Sequence, residues 1–167
     1  MDETDDARRS VVTVLPAVAP RKLSKVPFVE LADGRLQGVV SSGSDAARVY
    51  VSSIAAGSHA FSCSTNNNRP CSGLNIGHMC NHLRALVKEA ILQYGMTRVV
   101  GYLKLPEDAS HYDSDADVIA DLTGSHESAP AAIVFSRFLN HLAYLEVPAS
   151  AEPIPELHWF PATTGAR

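Results

Sequence analysis

The sequence predicts an α+β fold: a small antiparallel β-meander packed on a helix that a cysteine–histidine cluster anchors, then a further C-terminal helix, with extended proline-containing tails at both ends. Three observations carry this reading. Between residues 26 and 63, short runs of β-branched and aromatic residues alternate with turn residues. Over residues 81–94, apolar positions recur at helical spacing. All three cysteines and two of the seven histidines fall within residues 63–82, where the two patterns meet.

In chain order, residues 1–25 hold Pro16 and Pro20 and little periodicity, so "VVTVLPAVAPRKLSK" is expected to be an extended, polyproline-like arm. From Val26 the runs "VPFVEL", "RLQGVVSS", "ARVYVSSI" and "SHAFSC" predict four strands. Asp33-Gly34, Gly43-Ser44-Asp45 and Ala56-Gly57 supply the turns between them. The last strand ends on Cys63. Three consecutive asparagines at 66–68, then Pro70 and Gly73, forbid regular structure and predict a loop over 64–79. Leu83, Leu86, Val87, Ala90 and Ile91 then mark a helix over 81–94, closed by Gly95 as its carboxyl cap. This helix is expected to lay Leu83, Leu86 and Val87 against Val49, Val51 and Phe61.

"TRVVGYLKL" predicts a further strand, and "DSDADVIADL" a short helix capped by one of its aspartates. A second long helix is expected over 129–146, with Ile133, Val134, Phe138, Leu142 and Leu145 along one side. The division that follows is an arm at 1–25, one α+β domain at 26–146 containing a metal module at 47–94, and an extended tail at 147–167.

A chain of 167 residues supplies one domain with a core. With 46% hydrophobic and 19% charged residues, it falls outside the compositions of disordered chains and disulfide scaffolds. "MDETDDARRS" is acidic where a secretory signal is basic, and no apolar run reaches the length of a membrane span, so a cytoplasmic location is expected. The net charge of −4 is unevenly spread: residues 21–104 hold ten bases and four acids, residues 105–167 two bases and ten acids.

In a reducing compartment, clustered cysteines beside histidines point to a metal rather than to disulfides. Zinc takes four sulfur or nitrogen donors in a tetrahedron, which Cys63, Cys71, Cys80 and His82 can supply. The strand end offers the first donor, the loop the second, and the start of the helix the last two. The helix dipole there favours a thiolate. His78 is a substitute for Cys71, and the same donor types also suit a two-iron cluster.

The stretch "RVYVSSIAAGSHAFSCST" followed by "CNHLRALVKEAI" resembles the SWIM zinc-finger family, in which a β-hairpin leads to Cys-x-Cys, a variable loop and then Cys-x-His opening a helix. Cys80 and His82 match the second pair, and Cys63 one member of the first. Neither Phe61 nor Thr65 can be its mate, so Cys71 takes that place from inside the loop. The resemblance covers residues 47–94 and implies a binding module for protein or DNA rather than an enzyme.

Other chemistry finds little footing. The chain holds no phosphate-binding glycine loop, nucleophile elbow or paired-histidine protease helix. Asp113, Asp115 and Asp117 begin like a calcium loop, but Val118 and Gly124 stand where glycine and glutamate are needed. A four-donor zinc is closed and structural, so no catalytic residue is assigned.

Two functional classes remain. In the first, the chain is an accessory or adaptor subunit that docks on a larger protein assembly through its tails, with Trp159, Phe160 and Leu157 as anchors, since aromatics dominate interface energetics. In the second, the basic 21–104 half binds nucleic acid, with Arg69, Arg84 and Lys88 on phosphates.

Overall fold

The computed structural model describes residues 25–42, 48–74, 78–106 and 108–146. The expected arm up to Ser24, the tail with Leu157, Trp159 and Phe160, the Gly43-Ser44-Asp45 turn and the side chain of Leu145 lie outside the described residues.

Four strands form first: β1 (Phe28–Ala32), β2 (Arg35–Ser41), β3 (Val49–Ala55) and β4 (Phe61–Thr65). They pair antiparallel in sequence order, as the turn signals predict. Asp33 and Gly34 both adopt positive φ, 53° and 68°, the twist that a tight two-residue hairpin needs. Four α-helices follow: α1 (Asn81–Tyr94), α2 (Met96–Leu103), α3 (Asp115–Asp121) and α4 (Ala131–Glu146). The fold is α+β.

Alternation along the strands divides the sheet into two buried faces. Leu36, Val40, Tyr50, Ile54, Phe61 and Cys63 share one cluster with Leu83, Leu86 and Val87 of α1 and with residues of α2 and α3. Val39, Val49 and Val51 point the other way and meet Ala131, Val134 and Phe138 of α4. The expected contact of Val49 and Val51 with α1 is therefore corrected: only Phe61 of that trio lies on the α1 face. The period of two decides it, because Val49 and Val51 are out of phase with Tyr50 and Ile54.

Three further expectations change. "TRVVGYL" is helix α2 rather than a strand, since Val99, Val100 and Leu103 fall on one helical face and bury completely or nearly so in the α1 cluster. Gly95, at φ 83°, ends α1 and starts α2 without a loop. Helix α3 is capped by Ser114, not by an aspartate: the Asp117 carboxylate accepts from the Ser114 N–H in a capping box. In α4, Ile133 is 55% exposed, while Val134 and Phe138 carry the contact.

The outer edge of β4 is covered at both ends. Phe61 N–H donates to Ser125 O (3.0 Å) and Glu127 N–H to Phe61 O (2.9 Å), so residues 125–127 run as a short parallel ribbon along it. Further along, Ser64 bridges Pro70 and the Cys71 N–H donates to Cys63 O at 3.0 Å.

Candidate metal centre

The expected loop begins as a tight reversal. Thr65 N–H donates to Arg69 O (2.8 Å), and Arg69 N–H donates to Thr65 Oγ1 (3.1 Å). Asn68 sits in the left-handed region, at φ 57°, which asparagine tolerates. The chain doubles back and lays Cys71 beside Cys63. That reversal is the physical reason two cysteines eight positions apart lie side by side.

Cys63 projects from β4 into the α1 face of the sheet, directly opposite Ser52. Cys80 is the N-cap of α1, and His82 lies in its first turn. Those four side chains converge: Sγ of Cys63, Cys71 and Cys80 and a ring nitrogen of His82 all lie within 4.8 Å of one another. His82 Nδ1 is 3.3 Å from Cys71 Sγ and 3.8 Å from Cys63 Sγ. A tetrahedron with bonds of about 2.3 Å to sulfur and 2.0–2.1 Å to nitrogen has edges of about 3.6–3.8 Å. The donors fit one metal ion. The three cysteines are buried and the histidine half-buried, so this group can hold an ion away from solvent.

Surrounding groups orient the donors. The Ser52 hydroxyl donates to Cys63 Sγ (3.3 Å), and the Gly73 N–H donates to Cys71 Sγ (3.4 Å). Gly73 also packs so closely that a Cβ there would lie 3.2 Å from Cys80 Cβ. The Tyr50 ring stacks on His82, with centroids 3.8 Å apart and planes 18° from parallel. This fixes the imidazole with Nδ1 facing the sulfurs.

In the metal-free chain, the three thiols share one negative charge unequally. Cys80 is pushed down to about 4, first by the Cys63 thiol donating to its sulfur, with His82 and the N–H groups of Leu83 and His82 adding to the effect and burial opposing it. The first turn of α1 holds no acidic side chain, so this thiolate is the anion its N-terminus meets. Cys63 is pushed far above the ordinary thiol range, first by its hydrogen bond to Cys80 and then by burial. Burial likewise raises Cys71. A bound cation reverses this order by drawing all three into the thiolate form.

The remaining candidates fall elsewhere. His78 is exposed and is not one of the four converging donors. Arg69, Arg84 and Lys88 are exposed, and Arg84 Nε donates to Met79 O at 3.4 Å. Arg84 and Lys88 line one groove together with Lys25, Glu89 and Asp115. His111 pairs with Asp108, His126 meets the Phe61 ring edge-on, and His141 lies against Phe28.

Sequence reasoning missed Ser52 and Tyr50. The signal was present, because in "VYVSSI" both share a strand face with Ile54, and a serine on an otherwise apolar buried face needs a polar partner. Compared with protein-family models, curated proteins and solved structures, the chain matches none of them.

Proposed function

We propose that this chain is a zinc-binding, SWIM-like interaction protein, a non-catalytic accessory or adaptor subunit of a larger assembly. The observation that carries the reading is the group of three buried cysteine sulfurs and one half-buried imidazole nitrogen, all within 4.8 Å of one another. Soft thiolates with one imidazole favour zinc among the common divalent ions. Four protein donors leave no position for a water, so the ion acts as a staple that holds β4, the segment around Cys71 and α1 at one corner. The SWIM resemblance rests on Cys80 and His82 opening a helix after a β-hairpin, with Cys71 replacing the second cysteine of the first pair.

Protein association is favoured over nucleic acid by charge. The groove that holds Arg84 and Lys88 also holds Glu89 and Asp115, so the basic face of α1 is partly neutralised by its own chain. Docking through Leu157, Trp159 and Phe160, in the cytoplasm, completes the reading.

Two measurements test it. Elemental analysis of protein purified without added metal is expected to return one zinc per chain, and visible absorbance with stoichiometric iron would overturn that assignment. In native copurification, deletion of residues 151–167, or Trp159→Ala alone, is expected to weaken assembly while zinc content stays unchanged. Salt-sensitive binding to DNA or RNA, lost on charge reversal of Arg69, Arg84 and Lys88 and indifferent to the tail, would replace this reading with the nucleic-acid one.

A further inference from the structure

Beside the metal centre lies a cleft of about 880 Å³, bounded on one side by the metal-bearing loop and on the other by α3 and the 122–126 segment. Its size falls in the range, about 300–1,000 Å³, that accepts a drug-sized ligand or a short peptide segment. Its floor is aliphatic: Leu74, Met79, Ile119 and Leu122 line it with the edge of Phe61. On α3, Ala116 and Ala120 face it one helical turn apart, both exposed and both small enough to let a chain approach the helix.

Around that floor lie the hydroxyl residues Thr123 and Ser125 and three nitrogen-bearing side chains. Arg84, His78 and His126 line the cleft, all exposed, and among the described residues no aspartate or glutamate lines it. Arg84 stands at the boundary between this cleft and the groove that also holds Glu89 and Asp115, so on the cleft side it offers a carboxylate one guanidinium with two imidazole hydrogen-bonding groups nearby. The aliphatic floor suits apolar side chains, and the Phe61 ring at its edge is only 2% exposed.

The geometry points to a docking site for an extended acidic peptide of a partner protein, one that sets aliphatic side chains on the floor and carboxylates against Arg84 and its neighbouring imidazoles. This deepens the protein-association role and rests on it. It also gives the metal a second consequence. Pro70, Cys71, Leu74 and Met79 form one wall, and two of the four donors, Cys71 and Cys80, lie in or next to that wall, so the ion that fixes the loop also fixes the cleft.

The test is selection from a random peptide display library on the metal-loaded full chain, followed by affinity measurement of the enriched peptides. Enrichment of sequences that mix Glu or Asp with Leu, Ile or Val is expected. Arg84→Glu and, independently, Ala120→Glu should each weaken them by about tenfold or more with metal content unchanged. Both positions are exposed on helices, so the variants keep the fold. No enrichment, enrichment of peptides without acidic residues, or affinities indifferent to both substitutions would overturn the proposal. So would an oligonucleotide that binds the same cleft more tightly than any selected peptide. Tail-dependent assembly without acidic-peptide enrichment refutes the cleft alone; acidic-peptide binding alongside a dispensable tail refutes the tail docking alone.

Discussion

Ser52 Oγ donates a 3.3 Å hydrogen bond to Cys63 Sγ across the β3–β4 ladder, and neither residue is more than 1% exposed. The hydroxyl stabilises the thiolate that a metal requires and holds its side chain in the ligating rotamer. Such supporting partners are commonly worth about 10–100-fold in metal affinity. Ser52→Ala is expected to weaken metal binding within that range in a chelator competition, while the circular dichroism of the metal-loaded protein stays unchanged.

Stacking on Tyr50 holds the His82 ring. Because the contact is made by the ring face, Tyr50→Phe should leave metal affinity near wild type and Tyr50→Ala should lower it. Equal losses in the two variants would assign the effect to the hydroxyl instead.

Removing a donor has a larger consequence. Cys80→Ser or His82→Ala is expected to abolish stoichiometric metal and to accelerate amide hydrogen exchange across the described parts of residues 63–94. The described part of the segment between β4 and α1 has no helix or strand to hold it, and metal binding energy there is folding energy. Helix α4, on the opposite sheet face, should retain more of its protection.

Proton release reports the shared thiol charge. In the folded metal-free chain at pH 7, Cys80 is already ionised, at about 4, whereas Cys63 and Cys71 are raised and hold their protons. Metal uptake near neutral pH is therefore expected to release about two protons, read from the buffer dependence of the calorimetric enthalpy. The sign follows: affinity falls as pH falls, and more steeply once pH approaches the lowered Cys80 value and a third thiol must also lose its proton. Cys80 on its own contributes stability to the apo fold above its unfolded value of 9.0, lost as pH falls through about 4. Cys63, raised, contributes in the opposite direction.

Helix α1 packs closely on the sheet at Gly38. A Cβ there would collide with the Phe28 carbonyl oxygen and lie 2.8 Å from Leu86 Cδ1. Since Leu86 is fully buried and the other obstacle is backbone, Gly38→Ala is expected to destabilise the fold by about 1–3 kcal/mol in denaturant titrations. An unchanged midpoint would mean that α1 can lift from the sheet without loss.

The meander, helix α1 and the identity of the four converging donors were legible in the sequence because each is local or compositional. Turn residues bound the strands, the 3.6-residue period marks α1, and three cysteines within eighteen positions have few alternatives. Local pattern failed where a segment's form depended on what it packs against. Val99, Val100 and Leu103 suit a strand and one face of a helix equally well by type, and burial against α1 selected the helix. Val49 and Val51 are apolar whichever way they point. Only the packing of α4 on the second sheet face gave them a separate core and left Ile133 outside it. Ser52 beside Cys63, Tyr50 over His82 and the cleft between the 70–74 segment and α3 all join residues distant in the chain, and no local propensity encodes such meetings. The sequence by itself determined which side chains can hold a metal; the tertiary structure decided what orients them and what surface lies beside them, because both arise from burial shared between elements.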